Sequence, residues 1–159
     1  MDSAPFDELA FFAAIDGAAV RALLIGRRAL VVLGLPVMTQ DYDYWVQADD
    51  AAAFNAAVGP FDLVPNRSVE EARRGGRYVL EGDERVAVLV ARGGSTHEGA
   101  HIRFDDVWSR RREIWLDDHV RVHLPNLDDL IETKRFGQRP KDAEDIRQLL
   151  MLKDEENEP

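Results

Sequence analysis

The most constraining feature of the chain is the run Asp41-Tyr42-Asp43-Tyr44-Trp45-Val46, in which acids and aromatics alternate before an apolar end. In a strand, residues i and i+2 point to the same face. A strand over these residues therefore sets both carboxylates on one side and both tyrosines on the other. Such a strand needs a packed core against one face and an ionic ligand or solvent against the other. Thirteen residues, 28–40, separate it from Gly26-Arg27, which closes the apolar run 20–25. That run reads as a buried strand, and residues 28–33 read as a helix ending at Gly34 with Pro36 beyond. Paired carboxylates are hard oxygen donors of the kind that take Mg²⁺ or Mn²⁺ together with substrate phosphates. Gly26 allows a phosphate chain close to the backbone, and the start of the following helix offers free N–H groups to the same anion. Strand, glycine, helix and Asp-x-Asp strand together form a geometry for phosphoryl transfer.

The remaining sequence mixes helices with hairpins. Residues 6–15 read as a helix entered from Ser3 and Pro5, and 49–58 as an alanine-rich helix with Asp at its start. Segments 77–80 and 85–91 read as strands joined by a turn at 81–84. Residues 93–99 are expected as loop and 102–111 as a short helix. Segments 113–116 and 120–124 read as a hairpin around Asp117-Asp118. Asn126 caps a helix over 127–136, and Pro140 opens another over 141–152. This order predicts an α/β (α+β) fold with a small mixed β-sheet flanked by helices and closed by the C-terminal helices. Residues 1–152 are expected to form a single domain, with 153–159 as an acidic, disordered tail.

Composition removes several function classes. With 159 residues, the chain has the length of one domain. It has no cysteine, which excludes disulfides, cysteine zinc sites, iron–sulfur clusters and thiol catalysis. Twenty Lys and Arg against thirty Asp and Glu give a net charge of −10. That charge disfavours general nucleic-acid binding, and the islands Arg73-Arg74-Arg77 and Arg110-Arg111-Arg112 read as solvated faces without a partner. No apolar stretch approaches the roughly 20 residues that span a membrane. The N-terminal MDSAPFDELA carries acids where a signal peptide carries bases, so a cytoplasmic protein is expected.

On these residues the chain resembles the nucleotidyltransferase superfamily, and within it the bacterial branch of AbiEii-type toxins. Gly26, Ala29, Val31, Gly34, Pro36, Thr39, Asp41 and Asp43 follow the order of that branch's first motif. Leu124-Pro125-Asn126-Leu127-Asp128-Asp129-Leu130-Ile131-Glu132-Thr133-Lys134 is similar to a second segment. Arg139-Pro140-Lys141-Asp142-Ala143-Glu144-Asp145-Ile146 is similar to a third. The matches span about residues 20–150. The resemblance implies a nucleoside triphosphate (NTP) as substrate, with Mg²⁺ (or Mn²⁺) on Asp41 and Asp43. It implies nucleotide contacts at Gly26, Arg27, Thr39, Lys134, Lys141 and Asp142. An acceptor hydroxyl would attack the α-phosphorus and expel pyrophosphate; RNA and protein both remain open as acceptor.

Two positions depart from the family. Arg27 stands where the family has Gly or Ser; it either clamps phosphate or, the favoured expectation, obstructs the pocket or neutralises the aspartates. Ala87 stands where a third carboxylate is expected, with Asp83 and Glu84 as nearby substitutes. For Asp145, pairing with Arg139 or Lys141 is a sufficient structural role, set beside a role in the site. The incomplete catalytic set keeps a second reading open, a non-catalytic relative acting in binding or in a toxin–antitoxin type of interaction with a protein partner. A remote third reading is a zinc hydrolase, because residues 97–101 spell His-Glu-Gly-Ala-His, with His119 or His123 as a further ligand.

Overall fold

The computed structural model describes residues 5–95, 101–136 and 140–157. Helix α1 (Glu8–Gly17) is capped by Asp7, whose Oδ1 accepts from the Ala10 N–H at 3.0 Å. Strand β1 (Ala22–Ile25) runs into α2 (Gly26–Val32) without an intervening loop. Strand β2 is Asp41–Val46. A 3₁₀ turn over Ala48–Asp50 leads into α3 (Ala51–Val58), so the helix expected over 49–58 begins as a tighter turn.

Beyond it come β3 (Val64–Pro65), α4 (Val69–Gly75), β4 (Arg77–Glu81) and β5 (Arg85–Leu89). Helix α4 opens on a capping box in which Ser68 and Glu71 satisfy each other's backbone N–H groups. Strands β6 (Gly93–Ser95) and β7 (His101–Arg103) pair antiparallel, followed by α5 (Phe104–Ser109). The expected loop over 93–99 is thus a strand at its start. The helix expected over 102–111 is a strand and then a single short helix. Hairpin β8 (Arg112–Trp115) and β9 (Arg121–Leu124) forms as expected.

Helices α6 (Leu127–Lys134) and α7 (Pro140–Asn157) close the chain. Helix α7 runs through most of the residues expected as a disordered tail. Ion pairs hold it there: Lys153 Nζ lies 2.7 Å from Asp128 Oδ1, and Arg112 lies 3.2 Å from Glu156.

The central sheet has the order β1-β2-β5-β4-β3 and is mixed, as predicted, with β2 and β5 parallel and the other pairs antiparallel. Its two faces are written by the alternation of β2. On one face Tyr42, Tyr44, Leu24, Val86, Val88, Tyr78 and Leu80 pack with Phe11 and Phe12 of α1 and Phe54 of α3 into the main core. On the other, Leu23 and Trp45 pack with Ile102, Phe104 and Val107 in a smaller cluster that covers only one end of the sheet. The uncovered end of that face carries Asp41 and Asp43.

No helix among the described residues is long and apolar enough to cross a membrane. The basic islands are not free faces. Arg110 holds Asp129 through bonds of 2.6 and 2.9 Å, Arg112 holds Glu156, and Arg73 donates to the Ala48 carbonyl at 3.1 Å.

Candidate active site

Every residue that the sequence assigns to the site lines one cleft. Gly26, Arg27, Thr39, Asp41, Asp43, Lys134, Lys141 and Asp142 surround a cavity of ≈ 250 Å³. They come from the β1–α2 junction, the start of β2, the end of α6 and the start of α7, segments that meet only through the tertiary fold. Ile25, Arg85, Thr133 and Phe136 complete the lining.

Local structure fixes each acid. Thr39 Oγ1 accepts from the Asp41 N–H at 3.1 Å, which turns the chain into β2. From α2, Arg28 donates to the Asp41 carbonyl at 3.3 Å and to the Thr39 carbonyl at 3.2 Å. Its guanidinium also lies 4.1 Å above the Tyr42 ring and 3.2 Å from Glu8 Oε2. Glu8 in turn accepts from the Tyr42 hydroxyl at 2.6 Å. Burial and that bond to Glu8 push the Tyr42 phenol far above its ordinary range. Arg28 therefore ties the segment carrying the first aspartate to both α1 and α2.

Gly26 is required twice. Its φ of +67° belongs to the left-handed region that favours glycine. A Cβ at this position would also lie 2.9 Å from the Asp43 Cβ and 3.0 Å from its Cγ. The absent side chain thus makes room for the second aspartate itself, in addition to the phosphate access expected of it.

Arg27 was expected to obstruct the pocket or neutralise the aspartates; its bonds go instead to Asp145 and to a backbone carbonyl. Its Nε and Nη2 donate to Asp145 Oδ2 and Oδ1 at 3.2 and 3.1 Å, and its Nη1 donates to the Met38 carbonyl at 3.2 Å. Lys134, itself buried, donates to the same Asp145 Oδ2 at 2.9 Å. Asp145 is fully buried, at 0% exposure. Burial alone would raise its pKa, but the hydrogen bonds and charges of Arg27 and Lys134 outweigh that and hold its carboxyl below the usual carboxylate range. A pairing of Asp145 with Lys141 gives way to this arrangement, and Arg139 lies outside the described residues.

The third carboxylate is absent from the neighbouring strand. In the parallel register Asp41 lies beside Arg85 and Asp43 beside Ala87, so β5 brings an arginine and a methyl group to the face where an acid was expected. Neither Asp83 nor Glu84, at the turn before β5, lines the cleft. Among the described residues, no group of three or more His, Cys, Asp and Glu is placed to hold a metal ion. Two carboxylates on one strand face still fit Mg²⁺, which binds through one or two carboxylates and completes its shell with phosphates and water.

The zinc-hydrolase pattern fares differently. Residues 97–100 lie outside the described residues, but His101 begins the extended strand β7. Presentation of His-Glu-x-x-His to one ion requires both histidines on a single helical face. His123 faces Arg111, whose Nε lies 3.0 Å from its Nδ1, and burial and that cation press its pKa below the ordinary histidine value.

Of the lining residues that sequence reasoning missed, Ile25, Arg85, Thr133 and Phe136, Arg85 is the charged one. Its place depends on parallel pairing between strands separated by two helices, and nothing local announces that register.

No protein-family profile matches the sequence, and no curated protein matches it. Solved structures do. A candidate nucleotidyltransferase from Thermotoga maritima superposes with a TM-score of 0.60 at 15% identity, over 89% of this chain and 89% of that one. The antibiotic-resistance factor ANT(2'')-Ia gives a TM-score of 0.62 at 14% identity, over 90% of this chain and 80% of that one. The lincomycin-bound lincosamide antibiotic adenylyltransferase LnuA gives 0.61 at 12% identity, over 93% and 98%. At these identities the likeness is one of fold: the chain has the nucleotidyltransferase fold.

Proposed function

We propose that this protein binds an NTP with Mg²⁺ or Mn²⁺ in the cleft and transfers its nucleotidyl group to an acceptor hydroxyl. The observation that carries this reading is convergence: three sequence segments that resemble nucleotidyltransferase motifs supply the walls of one cavity. Asp41 and Asp43 would hold the divalent ion. An ion held there would supply neutralisation of the phosphate charge and polarisation of the phosphoryl group.

The protein's own cations do the rest of the positioning. Arg27 and Lys134 stand fixed on Asp145, while Lys141 and Arg85 make no hydrogen bond or ion pair among the described residues. Four cations, Arg27, Arg85, Lys134 and Lys141, share the cleft lining with three carboxylates, Asp41, Asp43 and Asp142; with a divalent ion on Asp41 and Asp43 the balance favours an anionic ligand there. In the transfer, the acceptor oxygen bonds to the α-phosphorus, the bridge to the β-phosphate breaks, and pyrophosphate leaves. Ala87 offers no base beside Asp43, so the acceptor proton passes to water. Catalysis then rests on alignment and charge stabilisation.

Within the superfamily, the segments 124–134 and 139–146 support the AbiEii-type branch. The acceptor is left as RNA, protein or a small molecule. The net acidity argues against an extended nucleic-acid interface.

Isothermal titration of ATP, CTP, GTP and UTP with Mg²⁺ tests the reading. Binding of at least one by the wild type, lost in Asp41→Ala, is the expected result; absence of binding, or equal binding by both proteins, contradicts it.

Ala87 favours a second reading, in which the cleft binds nucleotide without turnover and the protein acts through a partner. Release of pyrophosphate from the bound NTP, with water as acceptor, separates the two. A wild type that releases none, while Ala87→Asp does, supports binding alone. Release by the wild type supports transfer.

A further inference from the structure

We infer that Asp145 is a positioning residue for the triphosphate: one buried carboxylate that aims two cations from separate elements, Arg27 and Lys134, into the cleft. This inference rests on the proposed binding of an NTP.

The geometry is specific. Asp145 lies on α7, Arg27 on α2 and Lys134 at the end of α6, and ion pairs of 3.1 and 2.9 Å to Asp145 join the three elements. Both carboxylate oxygens are engaged, Oδ1 by the Arg27 Nη2 and Oδ2 by the Arg27 Nε and the Lys134 Nζ. A guanidinium held bidentately cannot rotate, and its free edge has a fixed direction. Arg27 is held a second time by the Met38 carbonyl, on the segment that leads into β2. Its side chain therefore spans from the glycine junction to α7, held by Asp145 and by the Met38 carbonyl.

The charges give the arrangement its purpose. Within this cluster, one carboxylate against two cations leaves one net positive charge. Lys134 and Arg27 both line the cavity, whereas Asp145 does not. The anion of the cluster is hidden behind the cations, and the ligand meets only the positive side. The bulk at residue 27, which departs from the small residue of the family pattern, thus becomes a phosphate contact once a carboxylate holds it aside.

The test compares phosphate with nucleoside recognition. Wild type, Asp145→Asn and Arg27→Lys are titrated with tripolyphosphate, with ATP and with AMP, all with Mg²⁺, after circular dichroism confirms folding. Arg27→Lys keeps the charge and loses the bidentate link, and serves if Asp145→Asn fails to fold. Positioning predicts at least a tenfold loss of affinity for tripolyphosphate and ATP in either variant, with AMP affinity changed less than threefold. Wild-type tripolyphosphate affinity in folded Asp145→Asn, or in Arg27→Lys, overturns it. A parallel weakening of all three ligands also overturns it, since that marks a merely structural residue. Wild-type protein that binds neither ATP nor tripolyphosphate defeats the underlying reading instead, which keeps the two failures distinct.

Discussion

The two faces of strand β2 are built from alternate residues of one hexapeptide, yet they answer to different physics. Tyr42 and Tyr44 point into the main core, where Tyr44 meets Phe54 at 5.3 Å between ring centroids and Phe11 at 6.3 Å. Asp41 and Asp43 point the other way, into a cleft walled by cations. The core face is held by area and shape, which tolerate no missing volume. The cleft face is held by directed hydrogen bonds and by backbone conformations that suit only one residue. The site is thus stabilised from the far side of its own strand, so substitutions on the two faces should separate stability from binding.

Truncation on the core face gives the largest loss of stability. Tyr44→Ala removes a fully packed ring and is expected to cost about 3–5 kcal/mol in chemical denaturation. Nucleotide affinity of the fraction that remains folded should not change. A cost below about 1 kcal/mol would break the division of labour between the faces.

Asp145→Asn comes next, at about 3 kcal/mol, because it strips a buried Lys134 of its counter-charge. This effect depends on pH with a definite sign. The folded-state pKa of Asp145 lies below its ordinary value of 3.8, so its contribution is fully present above that value. As pH falls through the ordinary value toward the depressed one, the contribution is lost. The stability gap between wild type and Asp145→Asn should therefore be constant from pH 5 to 7 and narrow below about pH 4. A gap that widens in acid contradicts the assignment.

Gly26→Ala is expected to cost about 1–2 kcal/mol from the left-handed backbone alone. Its added methyl must also displace the Asp43 carboxylate. Nucleotide binding should fall more than stability does, which sharpens the contrast between the faces. Asp41→Asn is the mildest change in stability, within about 0.5 kcal/mol, since the side chain is exposed.

The sequence made much of this arrangement legible, for identifiable reasons. Strand β2 is readable because its alternation is local, and hairpin β8–β9 because its turn is short. Asn126 and Pro140 mark the starts of α6 and α7. Helix α4 was also signalled, by Ser68 and Glu71 three residues apart, a cap pattern that reads as loop when only apolar periodicity is weighed. Strand β6 was hidden by its glycines. A Cβ at Gly94 would lie 2.9 Å from the Phe136 ring, so the glycine there serves close packing.

What no local pattern carries is the partner of a charge. Arg27 and Asp145 meet across 118 residues, and Arg85 reaches the cleft through a parallel register set by the whole sheet. The identities of the site residues were local information. Their mutual geometry was not.

On the proposed function, Asp41 and Asp43 jointly hold a divalent ion with the phosphates of a nucleotide. Electron paramagnetic resonance of Mn²⁺, titrated with protein in the presence of the NTP that binds best, tests this most directly. Wild type should lower the free Mn²⁺ signal beyond the loss that nucleotide alone causes, and only when nucleotide is present, whereas Asp43→Asn should not. Equal uptake of Mn²⁺ by wild type and Asp43→Asn would contradict it.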